Sequence, residues 1–193
     1  MDALGLLELS SIARGYRALD ALVKRSPITV LQANLVEPGH YLVLFGGGVA
    51  EVEEAMLAGL EVAKGCVLAS LQLPMVHEQV LSGLQGTVGL DAEPDTLGIV
   101  EAKTVSGGLQ ACDRALKDAY VSLAGLRIAP GLGGRSYFVV QGAQHDVEAA
   151  LESARVVLGD GAHALECVPR PHPDFVAQVL RAAPFSLSPQ SPS

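Results

Sequence analysis

Charge is scarce in this sequence, and positive charge scarcer still. Only 18% of the 193 residues are charged, with 13 Lys and Arg against 21 Asp and Glu, for a formal net charge of -8. No basic stripe is left to displace counterions from a phosphate backbone, which excludes nucleic acid and anionic membrane as partners. Long apolar runs are missing too. The longest, YLVLFGGGVA from Tyr41 to Ala50, stops at Glu51, well short of the roughly 18 residues a membrane span requires, so a soluble chain is expected. The start, MDALGLLELSS, carries Asp2 and no positive lead, which argues against a secretory signal. Cys66, Cys112 and Cys167 form no C-x-x-C pair; a reducing cytosol and buried thiols packed as small apolar groups are expected. With 49% hydrophobic residues and so few charges, much of the surface is expected to be covered by other subunits.

Catalytic signatures are absent as well. The chain has no G-x-S-x-G and no H-E-x-x-H, His77-Glu78 lacks a second histidine, and no His/Cys/Asp set has ligand spacing. A non-enzyme without metal or cofactor is expected.

What the sequence has is a repeat. LGLLELSS (4–11) returns as LGIVEAKT (97–104), and GYRALDALVK (15–24) as GLQACDRALK (108–117), with Gly15, Ala18, Asp20 and Lys24 recurring as Gly108, Ala111, Asp113 and Lys117 at an offset of 93. Farther on, GGVAEVEEAM (47–56) matches GAQHDVEAAL (142–151), and LPMVHEQV (73–80) matches VPRPHPDF (168–175), now at an offset of 95. The gain of two residues falls where VEPGHY (36–41) faces APGLGGRSY (129–137). Self-similarity at this period marks a duplicated domain.

Each copy alternates β-rich runs with helical periodicity. In the first, strands are expected at 4–9, 28–36, 41–46 and 66–74, with a helix over 12–25 whose apolar stripe is Ile12, Tyr16, Leu19 and Val23. Ser26-Pro27 ends that helix. A second helix buries Val52, Met56, Gly59 and Ala63 and exposes Glu51, Glu53, Glu54, Glu61 and Lys64. The second copy repeats the plan, with strands near 97–104, 121–128, 136–142 and 163–168 and helices near 105–118 and 145–158. Two helices on one face of a mainly antiparallel four-stranded sheet give an α+β, ferredoxin-like domain, present twice. The copies are expected to span 1–93 and 94–185, with the Ser/Pro-rich tail 186–193 disordered.

Single residues narrow the function. The turns Glu37-Pro38-Gly39-His40 and Pro130-Gly131-Leu132-Gly133-Gly134-Arg135-Ser136 join strands. GLGG is therefore no phosphate cradle, which would open a helix. Lys24 and Lys117 follow an aspartate by four residues, as solvated helix pairs do. His77 and His172 recur after proline, placed to cap the last helix of each copy rather than to bind metal. Arg170 lies between Pro169 and Pro171, so its guanidinium is held stiffly.

Taken together, the LG[LI][LV]E strand, the D-x-x-x-K pairs, the hairpin loops, the V-E-x-A helix start and P-R-P-H at 169–172 resemble the shell proteins of bacterial microcompartments, in a tandem, unpermuted form. The resemblance implies a structural tile in the cytoplasmic shell: a pseudohexameric homotrimer with a central pore for small polar metabolites. Neighbours would be hexameric single-domain tiles, other tandem tiles and pentameric vertices. It places Glu37, Pro38, Gly39, His40, Pro130, Gly131, Leu132, Gly133, Gly134, Arg135 and Ser136 at the pore, with His40 a candidate proton-sensitive gate. Lys24, Lys117 and Arg170 fall on the tile edge. Some tandem members hold an iron-sulfur cluster through loop cysteines, and neither loop here has one. The alternative is a cytosolic tandem ferredoxin-like sensor of a small molecule; an enzyme with a site in the linker cleft stands third.

Overall fold

The computed structural model describes residues 1–128 and 131–179, so the tail 186–193 and Pro130 lie outside the described residues. Two compact units result. The first comprises Met1–Val76 with residues 131–134, the second His77–Ile128 with residues 135–179. The repeat boundary expected near residue 93 is thus not the boundary between units, which falls at Val76/His77.

In the first unit the order is β1 (Ala3–Leu9), α1 (Ile12–Arg25), β2 (Thr29–Val36), β3 (His40–Gly47), α2 (Val49–Val62) and β4 (Val67–Pro74). The strands form an antiparallel sheet in the order β2-β3-β1-β4. β1 is central, and its alternation places Ala3, Leu7 and Leu9 with Tyr41, Val43 and Phe45 of β3 on the helix side. These residues meet Ala18 and Leu22 of α1 and Val52, Ala55 and Met56 of α2 in one buried cluster. Ser11 opens α1 by accepting from the Arg14 amide through its hydroxyl, at 3.3 Å, and Ser26 ends it.

Of the apolar stripe expected on α1, Leu19 packs against this core and the rest is turned outward. Gly15, Ala18 and Leu22 face the core, while Ile12, Tyr16 and Val23 are exposed and Leu19 is half-buried. The reason is the close approach of α1 to β3: a Cβ at Gly15 would collide with the Tyr41 ring. Small residues let the helix backbone lie on the sheet, and the larger apolar side chains are turned outward.

The second unit contains α3 (Glu78–Leu84), β5 (Thr96–Ala102), α4 (Val105–Asp118), β6 (Ser122–Ile128), β7 (Ser136–Gly142), α5 (Gln144–Leu158), a 3-10 turn at Gly159–Gly161, β8 (Ala162–Pro169) and α6 (Pro173–Val179). Its sheet, β6-β7-β5-β8, has the same order as the first. Even the irregularities recur: bulges at Glu8/Leu9 and Val30/Gln32 return at Glu101/Ala102 and Leu123/Gly125. Gly108 repeats the close approach of Gly15, here against Ser136.

The second unit differs in carrying α3, which packs on β6 and α4. Of the cysteines, Cys112 is fully buried on α4, whereas Cys66 and Cys167 are only half-buried, short of the burial expected for all three. Burial, then the neighbouring Asp113 charge, pushes the Cys112 thiol far above its usual range.

Two outcomes follow from this packing. Leu22→Ala removes a fully buried side chain and is expected to destabilise the protein by about 2–5 kcal/mol in urea unfolding. Cys112 is expected to resist maleimide labelling until the second unit opens; labelling of Cys112 in the native protein at the pace of a free thiol contradicts the packing.

Candidate functional site

The sequence singled out two hairpins, two helix pairs and one turn. The hairpins come first. β2 and β3 are joined through Glu37, Pro38 and Gly39, all exposed, and the longer connection before β7 exposes Gly131, Gly133 and Arg135 and half-buries Leu132 and Gly134. Gly131, Gly133 and Gly134 all have positive φ. A Glu37 carboxylate oxygen, Oε2, accepts from the Gly133 amide at 3.1 Å, so two loops 96 residues apart in sequence meet within the first unit. GLGG does present an amide to an anion after all, and the anion is the chain's own carboxylate.

Just behind the tips the copies diverge. His40 Nδ1 lies 2.8 Å from Oε1 of the buried Glu8. At the equivalent place in the second unit, Arg135 donates to Nε2 of His163 at 3.1 Å, with Glu101, the counterpart of Glu8, 3.8 Å from the same nitrogen. Ser136, expected at or near a passage, is not exposed at the tip. It is buried beneath α4, and its hydroxyl donates to the Thr104 carbonyl at 2.8 Å.

Arg170 is exposed, with φ +47, and its counterpart Met75 has φ +51. Left-handed backbone is costly for residues with a Cβ, by about 1–2 kcal/mol, and here it is fixed by a hydrogen bond. In the first unit the Val76 amide donates to the Asp2 carbonyl at 3.0 Å; in the second, Pro171 has no amide, and Arg170 itself donates to the Asp95 carbonyl at 2.7 Å. The prolines alone do not hold Arg170.

The two D-x-x-x-K pairs sit in unlike settings. Lys24 donates to Asp20 Oδ2 at 2.7 Å on an exposed helix face. Lys117 donates to Asp113 Oδ2 at 2.6 Å, but Asp113 is buried and its Oδ1 also accepts the backbone N–H of His77 at 2.7 Å. His77 caps α3, its Nδ1 accepting from Gln79 N–H at 3.3 Å, and His172 Nδ1 accepts likewise from Asp174 N–H at 3.2 Å, the capping role expected of both. Sequence reasoning missed Asp113 as a receptor for that turn. Both partners were visible as repeated residues, yet nothing in one copy says what the other receives.

Among the described residues no group of three or more His, Cys, Asp and Glu side chains is placed to hold a metal ion, and no helix is long and apolar enough to cross a membrane. The features above are loops, edges and docking turns on two like domains. That combination defines a tandem-domain assembly protein. The BMC domain is matched twice, over residues 3–76 and 96–171. The chain is 35% identical over 181 residues to the bacterial microcompartment shell protein PduT of Citrobacter freundii, covering 93% of this chain and 98% of that one. It is 34% identical over 83 residues to the carboxysome shell protein CcmK4 of Synechococcus elongatus, covering 41% and 74%. A crystal structure of a microcompartment protein from Desulfitobacterium hafniense superposes with a TM-score of 0.83 at 34% identity, over 92% of this chain and 99% of the other. The fused permuted hexameric shell protein of the RMM microcompartment shares the fold, with a TM-score of 0.61 at 20% identity over 83% of both chains. The chain belongs to the family of bacterial microcompartment shell proteins, with the BMC domain present in tandem.

Removing the buried acceptor is expected to weaken the α3 dock. Asp113→Ala should cost about 1.5–3 kcal/mol in denaturant unfolding, and Asp113→Asn, which keeps an acceptor oxygen, less; equal losses would show that only the charge matters.

Proposed function

We propose that the protein is a structural tile of a bacterial microcompartment shell in the cytoplasm, three copies of which close into a pseudohexamer around a passage for small polar metabolites. The observation that carries this reading is the tandem BMC domain matched over nearly the full length of a shell protein. Duplication supports the count, because three tandem chains supply six like domains. Its neighbours would be single-domain hexameric tiles, other tandem tiles and pentameric vertices.

On this reading the hairpin tips, Glu37, Pro38 and Gly39 with Gly131, Leu132, Gly133, Gly134 and Arg135, surround the passage, with His40 and the buried Ser136 just behind them. Glu37 is tied back to Gly133, so part of its charge is answered locally and the rim is less acidic than its composition suggests. The guanidinium of Arg170, exposed and with no side-chain hydrogen bond or ion pair among the described residues, is free to donate to carbonyls of an adjoining tile. Lys24 is likewise exposed at an edge, whereas Lys117 offers that edge mainly its stem.

The test is assembly. Native mass should be near 60 kDa, three times the 20.0 kDa of one chain, and electron microscopy should show hexagonally packed layers. Lys24→Ala with Lys117→Ala should abolish layers and leave the 60 kDa species intact. Arg170→Gly, which suits the positive φ, should fold normally and also lose layers; unimpaired layers in both variants would remove these residues from the edge.

A further inference from the structure

The two units agree in backbone and part ways on one patch of sheet. Ser136 lies under α4, so its neighbour Tyr137 points to the face away from the helices. There the register sets Glu101 of β5 and Arg127 of β6 on either side of Tyr137. Arg135 stands just before β7, and His163 at the bulge where β8 passes Glu101. In the first unit Leu42 takes the place of Tyr137, Asn34 of Arg127, Leu68 of His163 and His40 of Arg135, around the matching carboxylate Glu8. Leu42 is buried and Tyr137 is not; Arg135 and His163 are exposed. The copies thus differ together at one spot.

In the second unit a single nitrogen, His163 Nε2, lies between two groups of opposite demand. Arg135 Nη1 is 3.1 Å away and can only donate, so the neutral imidazole accepts there and carries its proton on Nδ1. Glu101 Oε2 is 3.8 Å away and can only accept. When Nε2 takes up a proton, the Arg135 bond is lost, the two cations repel, and the new N–H need close only about 1 Å on Glu101. His40 has no such conflict, because its Nδ1 already lies on a carboxylate. The charges around His163 otherwise cancel. Glu101 on β5 and Glu166 on β8 stand against Arg127 on β6 and Arg135 on β7. Lys103, whose Nζ donates to the Asp160 carbonyl at 2.6 Å, and Asp160 itself add one charge of each sign. The patch is therefore neutral with His163 neutral, and gains one positive charge with the proton.

We infer that Arg135 and His163 form a site for a small oxyanion, a carboxylate or phosphate group, bound together with a proton on His163. The Arg135 guanidinium makes no other hydrogen bond among the described residues. Released from the imidazole, it can present two parallel N–H groups to the anion's oxygens. The coupling is mutual: protonation strengthens anion binding, and the anion strengthens protonation by the same factor. Every group belongs to the second unit of one chain, so the site stands apart from the tile reading. On that reading Arg135 borders the passage, and the bound anion is one in transit.

Sulfate is the probe, because it keeps its charge where histidine titrates. Calorimetry on the full chain at low ionic strength should show sulfate binding roughly fivefold tighter at about pH 5.5 than at about pH 8, as one added charge at about 4 Å in water dictates. Comparing two buffers of unlike ionisation heat should show net proton uptake. His163→Gln keeps an acceptor for Arg135 but cannot titrate; it should bind at the weaker level at both pH values, without proton uptake. The other four histidines stay in place, so the difference isolates His163. Arg135→Gln should lose binding throughout, and Glu101→Gln should tighten it, with circular dichroism confirming that each variant folds. Sulfate binding of equal strength at both pH values overturns the inference. So do a pH dependence that persists in His163→Gln, binding that survives Arg135→Gln, and a wild-type chain that takes up no sulfate.

Discussion

A helix of seven residues cannot hold itself together in water, because nucleation is unfavourable and so short a run returns too few hydrogen bonds. α3 is such a helix, and it exists because β6 and α4 give it a surface and Asp113 anchors the turn before it. The terminal helix of one repeat is therefore completed by the sheet and helix of the next. From that dependence comes the odd placement of the unit boundary at Val76/His77. The same dependence accounts for the contrast between the buried Leu109 and the open Tyr16. A duplicated chain satisfies it once internally.

Most of the architecture was legible in the residues, since strand alternation and helical periodicity act locally. The duplication then checked each element against its twin, and Ser26-Pro27 ended α1 where expected. α1 was misjudged on which side it buries. Its largest apolar residues form a tidy stripe, but the sheet takes the side with Gly15 and Ala18, because only small residues allow the approach that Tyr41 enforces. Periodicity reports that a helix has an apolar side; it does not say whether that side meets its own sheet or something else. The candidate site was legible in its parts and not in its pairings. Glu37 with Gly133, and Asp113 with His77, are joined across long stretches of chain. Ser136 was assigned to the loop, yet it begins β7 and points under α4.

The copies agree in backbone down to their bulges and disagree in the chemistry behind the hairpin tips. One uses a histidine on a buried carboxylate, the other an arginine on a histidine with the carboxylate beyond. The tandem chain therefore carries two such arrangements, of unlike charge and unlike hydrogen-bonding capacity, in fixed one-to-one ratio.

The left-handed residue after β4 and β8 has a consequence for how such chains diversify. Met75 and Arg170 share that backbone conformation although one side chain is a thioether and the other a cation, and the bond to the aspartate carbonyl just before β1 or β5 survives even when proline removes its usual donor. Conformation there is dictated by the scaffold and not by the residue's own preference. Mutational drift can thus rewrite what the corner offers a neighbour while the corner itself stays put, and duplication lets one twin explore while the other conserves.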